Sequence, residues 1–152
     1  RFGAMTRSQQ SDFSRHWPLT FRKPSFVPLE ITDKVTLFYG RLLQRAVEVG
    51  GGLCGCVIVD KAGREVVAAA DESSSHPLRH AVMVAIERVA GAQLDEVESG
   101  AKRPRTEEDY LCQDCEVVTT HEPCIMCAMA LVHSRVKIVA YRTPDREFGG
   151  LG

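Results

Sequence analysis

A chain of 152 residues is the length of one domain, long enough to bury a core without disulfide support. Hydrophobic residues at 44% and charged residues at 26% exclude a mostly disordered chain, and no apolar run approaches the roughly 20 residues that a membrane-spanning helix needs. The net charge of -1 gives no global sign of nucleic-acid binding, yet residues 1–24 hold Arg1, Arg7, Arg15, Arg22 and Lys23 against Asp12 alone, a basic arm on a mildly acidic remainder.

The first 31 residues carry Pro18, Pro24 and Pro28 among Trp17, Phe21 and Phe26, and read as an extended arm. The start, Arg1-Phe2-Gly3-Ala4-Met5, has no initiator methionine and no secretion signal, so the chain reads as a piece of something longer. Thr32 is the expected N-cap of a helix through about Val49. Val35, Phe38, Leu42, Leu43, Ala46 and Val49 recur there at helical spacing before Gly50-Gly51-Gly52. Leu53 to Val59 and Glu65 to Ala70 are two strands around the Asp60-Lys61-Ala62-Gly63 loop, with a glycine where positive φ is needed. A polar loop from Asp71 to Arg79 leads into a helix over about His80 to Ala90. Residues 91–110 are low in apolar side chains and are expected to form a surface insertion. A strand over Glu116 to Thr120, a helix from Cys124 to about His133 and a strand over Val136 to Tyr141 follow, with an irregular end. The proline of Glu122-Pro123 is placed near that helix's first turn. This order fits an α/β domain with one mixed sheet and helices on its faces.

The six cysteines fall as Cys54 and Cys56, Cys112 and Cys115, and Cys124 and Cys127. Without a secretion signal, such close pairs favour thiols or metal ligands over a disulfide framework. His80-Ala81-Val82 and Pro123-Cys124-Ile125-Met126-Cys127 reproduce, except at one position, the His-x-Glu…Pro-Cys-x-x-Cys signature of the zinc-dependent nucleobase deaminases. A spacing of three puts Cys124 and Cys127 on one helical face, where both sulfurs can chelate one ion. A helix N-terminus also favours thiolate. His80, Cys124 and Cys127 are therefore the candidate ligands of one zinc ion, and Val82 stands where the general acid/base glutamate belongs. The competing arrangement is a zinc ribbon that joins Cys112 and Cys115 to Cys124 and Cys127. Only eight residues separate those pairs, a short gap for a ribbon, and a strand fills most of it. Cys54 and Cys56 alternate along the first strand and are expected on opposite faces, so that they cannot both be ligands; they read as buried structural thiols.

The stretches His76 to Met83 and Glu122 to Arg135 resemble the eukaryotic tRNA wobble-adenosine deaminase, and its non-catalytic subunit in particular, over about residues 32–152. The resemblance implies a cytidine deaminase-like three-layer α/β/α fold that lacks a C-terminal strand and helix here. It implies one zinc ion, a heterodimer with a catalytic subunit, tRNA as the shared substrate, no membrane, and a cytoplasmic or nuclear setting. The valine is typical of that subunit. In an active site of this type, zinc lowers the pKa of its water towards about 7 and the glutamate moves the proton. Valine cannot do so. Of the carboxylates that could replace it, Glu87 lies about 10 Å along the helix from His80, Glu72 sits in a loop, and Glu122 is expected to anchor the loop or helix start. Zinc here therefore reads as structural.

Met83, Ile125, Met126, Met129 and Leu131 are candidate interface residues. Arg15, Arg22, Lys23, Lys102, Arg103 and Arg105 are candidate tRNA contacts. Two other readings stay open, a deaminase active by itself with a displaced proton carrier and a zinc-stabilised interaction module with no RNA role.

Overall fold

The computed structural model describes residues 33–98 and 110–151. The first helix, α1, runs over Asp33–Gly50, with Asp33 in the first turn where the helix dipole favours negative charge. Gly51 and Gly52 follow at φ 56° and 97°, left-handed values that end the helix and suit glycine. β1 (Gly55–Val59) and β2 (Glu65–Ala70) form the expected hairpin. Asp60 Oδ1 accepts the Ala62 and Arg64 amides at 2.8 and 3.0 Å, and Gly63 has φ 77°. Then come α2 (Ala81–Glu98), β3 (Glu116–His121), α3 (Ile125–His133) and β4 (Ile138–Thr143).

The strand order is β2-β1-β3-β4. β1 is antiparallel to β2 and β3, whereas β3 and β4 are parallel, which makes the sheet mixed. Because β2 and β3 both run against β1, they run with each other, and their carboxyl ends finish at one edge of the sheet. α2 follows β2 and α3 follows β3, so both helices begin at that edge. β1 begins there too, since Gly55 pairs with Ala70 and Cys56 with Thr119.

Alternation along β1 sorts the core into two layers. Val57 and Val59 pack with Ala46, Phe38 and Leu42 of α1. Cys56 and Ile58 pack on the other face with Val82, Val84, Ala85 and Val89 of α2 and with Cys127 and Leu131 of α3. The result is the three-layer α/β/α arrangement. At Gly55 a Cβ would overlap the Ala46 carbonyl oxygen, so only glycine lets α1 lie this close to the start of β1.

Several boundaries differ from expectation; β1 starts at Gly55 and not at Leu53, and β3 runs on to His121. α2 continues past Ala90 to Glu98, so the first part of the expected insertion (91–110) is helical, while residues 99–109 lie outside the described residues. That reading rested on missing apolar residues, but Ala90, Ala92, Gln93 and Leu94 are helix formers, and Gln93 Nε2 donates to the Leu111 carbonyl at 2.8 Å. α3 begins at Ile125 with Cys124 as its N-cap, which puts Pro123 just before the cap. β4 covers Ile138–Thr143 instead of 136–141, because the Lys137 amide still bonds the Cys115 carbonyl ahead of the β3 ladder. No helix among the described residues is long and apolar enough to cross a membrane.

Candidate metal centre

His80 and Cys124 occupy equivalent places at the starts of their helices. The His80 carbonyl accepts the Val84 amide at 3.0 Å, and the Cys124 carbonyl accepts the Ala128 amide at 2.8 Å. Cys124 is in an extended conformation, φ -66° and ψ 170°, and its side chain makes no capping hydrogen bond. Its sulfur lies instead 3.5 Å from His80 Nδ1, and the Cys127 sulfur lies 3.6 Å from the same nitrogen. The three ligand atoms all fall within 4.8 Å of one another. In a tetrahedral zinc site, with Zn–N near 2.05 Å and Zn–S near 2.3 Å, nitrogen and sulfur ligands stand about 3.6 Å apart. The donor set and its spacing therefore fit zinc.

The electrostatics fit a cation as well. Burial pushes the Cys127 thiol far up, and the neighbouring Cys124, Cys54 and Asp71 push it further. Burial thus outweighs the thiolate preference of a helix N-terminus, and a bound divalent cation is what would offset it.

A cavity of about 200 Å³ opens at this edge, lined by the three candidate ligands and by Cys54, Asp71, Ala81, Val82, His121, Glu122, Pro123 and Asp145. It is smaller than the roughly 300–1,000 Å³ usual for small-molecule pockets. Val82 is 3% exposed, packs into the α2/α3 core cluster and presents only methyl groups to the cavity.

Three carboxylates line the cavity, and each is engaged by backbone amides. Glu122 is buried; its Oε2 accepts the Asp145 amide at 2.9 Å and its Oε1 the Leu151 amide at 3.2 Å. It therefore holds the segment after β4, a different target from the loop or helix start expected. Asp145 accepts the Phe148 and Glu147 amides, both at 3.0 Å, which hold its carboxyl below the usual carboxylate range. Burial pushes the Asp71 carboxyl up, but hydrogen bonds from Ser73, the nearby His80 and the Ala81 amide more than offset it and leave it low. Asp71 and Asp145, stabilised as anions in this way, are weak proton acceptors. Glu72 does not line the cavity; it pairs with Arg79 at 2.8 Å and Arg88 at 3.1 Å. Glu87 pairs with Arg79 at 2.8 Å.

Several expectations change. Strand side chains repeat every two residues, so Cys54 and Cys56 share a face and do not oppose each other. Both belong to the cluster that holds Cys124 and Cys127; Cys56 is fully buried there, whereas Cys54 lines the cavity. The ribbon does not form. Cys112 is buried in the core, Cys115 precedes β3 and Cys124 follows it, and the group among the described residues that could hold a metal ion is His80, Cys124 and Cys127. Of the candidate interface residues, Ile125 and Met129 are exposed, Leu131 is buried, and Met83 and Met126 pack partly against the core. Val132, exposed on the same helix, was not anticipated. Arg15, Arg22, Lys23, Lys102, Arg103 and Arg105 lie outside the described residues, as does the basic arm. Cys54, Asp71, His121 and Asp145 were not singled out as site residues. Their signal was position: Cys54 immediately precedes β1, Asp71 immediately follows β2, His121 ends β3 and Asp145 follows β4.

Residues 38–143 match the family model for the cytidine and deoxycytidylate deaminase zinc-binding region, and the chain belongs to that family. Within it, the chain is similar to tRNA adenosine deaminase-like proteins. A Danio rerio protein named "Probable inactive tRNA-specific adenosine deaminase-like protein 3" is 33% identical over 95% of this chain and 52% of its own length. The tRNA-specific adenosine deaminase subunit tad3 of Schizosaccharomyces pombe is 30% identical over 99% of this chain and 50% of its own length. The chain thus spans about half the length of these curated relatives. A solved chain from structural studies of tRNA:A34 deaminases, 19% identical, superposes with a TM-score of 0.53 over 72% of this chain and 75% of that one, a likeness of fold.

Proposed function

We propose that this chain is a zinc-binding pseudo-deaminase that partners a catalytic tRNA adenosine deaminase subunit and helps to position tRNA for deamination of adenosine to inosine. The observation that carries the reading is the complete His80/Cys124/Cys127 set beside a buried valine. The relatives named inactive, or named as subunits, support it. Zinc bound in a deaminase supplies a Lewis acid and an acidified water. Here Val82 has no proton to give or take, and the carboxylates around the cavity serve the backbone. The metal's role is then to tie the start of α2 to the start of α3.

The partner subunit docks on α3 in this reading. Ile125, Met129 and Val132 recur at i, i+4 and i+7, so they form one helical stripe, and they are 64%, 57% and 73% exposed. Phe148 and Leu151 are also exposed, on the segment whose Gly150 packs against Ile125. The basic arm with Arg15, Arg22 and Lys23, and Lys102, Arg103 and Arg105, supply phosphate contacts for tRNA. Zinc removal leaves this surface without its brace at the start of α3.

Deamination of tRNA adenosine by this chain alone, by the catalytic subunit alone and by the pair tests the reading. We expect turnover that needs the catalytic subunit and rises with the pair. Robust turnover by this chain alone ends it. The Val82→Glu variant, tested alone, is expected to keep its metal and stay inactive; a restored rate makes the valine the sole defect.

A further inference from the structure

We propose that Cys54 is the fourth zinc ligand, closing the centre as a His/Cys3 site with no position left for water. This rests on the reading of His80, Cys124 and Cys127 as zinc ligands, and it names the chain atom that completes them. Three ligands leave one corner of a tetrahedron, and structural zinc sites fill that corner with protein whereas catalytic sites leave it to solvent. Cys54 lines the same cavity as the other three and packs in the same cluster as Cys124 and Cys127.

Its position follows from the topology. Cys54 is the residue before β1, the central strand flanked by β2 and β3, and it stands between the two strand ends from which the ligand helices depart. Its backbone is fixed on both sides: its carbonyl accepts the Asp71 amide at 2.8 Å, and the next amide, that of Gly55, donates to Thr120 Oγ1 at 3.1 Å. Its thiol, by contrast, has a 4.0 Å contact to the Gly55 carbonyl, a weak tether. The sulfur lies outside the 4.8 Å circle of the other three, so a turn of the Cys54 side chain towards them is part of the proposal.

Val82 weighs on the same side. A third thiolate brings the centre to a net charge of -1, which a glutamate carboxylate at position 82 would oppose by like-charge repulsion. Valine adds no anion to the Asp71, Glu122 and Asp145 carboxylates that already line the cavity. Binding is a ligand exchange with no redox change: each thiol gives up its proton to solvent as its sulfur bonds the metal, so a His/Cys3 centre releases three protons per zinc and a His/Cys2 centre two.

The test uses the full 152-residue chain loaded with Co(II) or Zn(II), beside its Cys54→Ser and Cys54→Ala variants. Thiolate-to-cobalt charge-transfer absorption in the near-ultraviolet scales with the number of bound sulfurs. It should fall by about a third in both variants if they retain one metal per chain. X-ray absorption at the zinc edge should count three sulfurs in the parent chain and two in the variants. A parent chain with two sulfurs, or variants whose spectra match the parent, overturns the proposal while leaving the three-ligand site intact. A parent chain that takes up no metal overturns the three-ligand site as well. Loss of metal by the variants, when the parent counts three sulfurs, supports Cys54 as a ligand.

Discussion

The junction from β2 to α2 and the junction from β3 to α3 deliver candidate metal ligands to one cavity by different means. The first, residues 71–80, is long and largely exposed, and the ion pairs of Glu72 with Arg79 and Arg88 and of Arg79 with Glu87 bridge it to α2. Pairs of this kind contribute little in water. The second is the short turn Glu122-Pro123-Cys124, in which Glu122 and Pro123 are buried. The Glu122 amide donates to Thr143, its carboxylate accepts two further amides, and the Pro123 carbonyl accepts Gly150. Charge-assisted bonds inside the protein are about twice as strong as neutral ones. Cys124 and Cys127 are thus held in place by the fold, whereas His80 stands on a loop that a metal would have to steady.

The largest effect that tests this contrast is removal of the metal. For zinc at about a thousand times its dissociation constant, linkage gives about 4 kcal/mol, or on the order of 10 °C in Tm for a domain of this size. We expect a chelator, or the Cys127→Ala variant, to lower Tm by that much in a thermal melt. Hydrogen exchange should then show protection lost first over residues 71–84 while residues 122–127 keep theirs. Loss in the reverse order breaks the contrast. The second effect is at Glu122. In Glu122→Ala the Asp145 and Leu151 amides lose their charged acceptor, and a hydrogen bond to a charged group contributes about 1.5–3 kcal/mol. We expect about 2 kcal/mol by urea denaturation, with the segment after β4 exchanging faster. Gly149→Ala should act in the same direction, since its Cβ would meet the Glu122 carboxyl carbon at 2.5 Å. A Glu122→Ala variant as stable as the parent would falsify the anchoring role.

Much of this was legible in the sequence because it depends on local pattern. The 3.6-residue recurrence from Val35 to Val49, the glycine at position 63 and the spacing of Cys124 and Cys127 are each decided within a few residues, and each element formed where its pattern lay. Val82 could be singled out because it interrupts a motif whose other members are present. What stayed hidden needed the strand order. Nothing near Cys54 says that β1 lies between β2 and β3, so its place beside residues 26 to 73 positions downstream in the chain is not accessible locally. Its shared face with Cys56, by contrast, follows from the two-residue strand repeat alone. Glu122 also needed the strand order: its anchoring role could be anticipated, but its partners, Asp145 and Leu151, come into reach only after β4 turns back over the start of α3. The helical continuation to Glu98 was missed for another reason. An exposed helix can persist on intrinsic propensity without an apolar stripe.

The smallest expected effect lies in the looser junction and concerns Asp71. Its anion accepts the Ser73 amide and holds the Ala81 amide at the start of α2, and the net result is a folded-state pKa below the usual carboxylate value. A carboxyl with a depressed folded pKa stabilises the protein at pH above its unfolded value, about 3.9, and that contribution fades as pH falls through the lower folded value. Stability of the metal-free chain should therefore drop as pH falls below about 4, and Asp71→Asn should flatten that acid limb while making the protein slightly less stable at neutral pH. Metal-free protein is needed because acid also displaces zinc from thiolates. Urea denaturation between about pH 3 and 6 reads the difference. Asp71 is half-buried and partly screened by solvent, so its limb should be shallower than the loss from Glu122→Ala. If Asp71→Asn leaves the acid limb unchanged, the start of α2 is not held by this carboxylate, and the steadying of His80 falls to the metal alone.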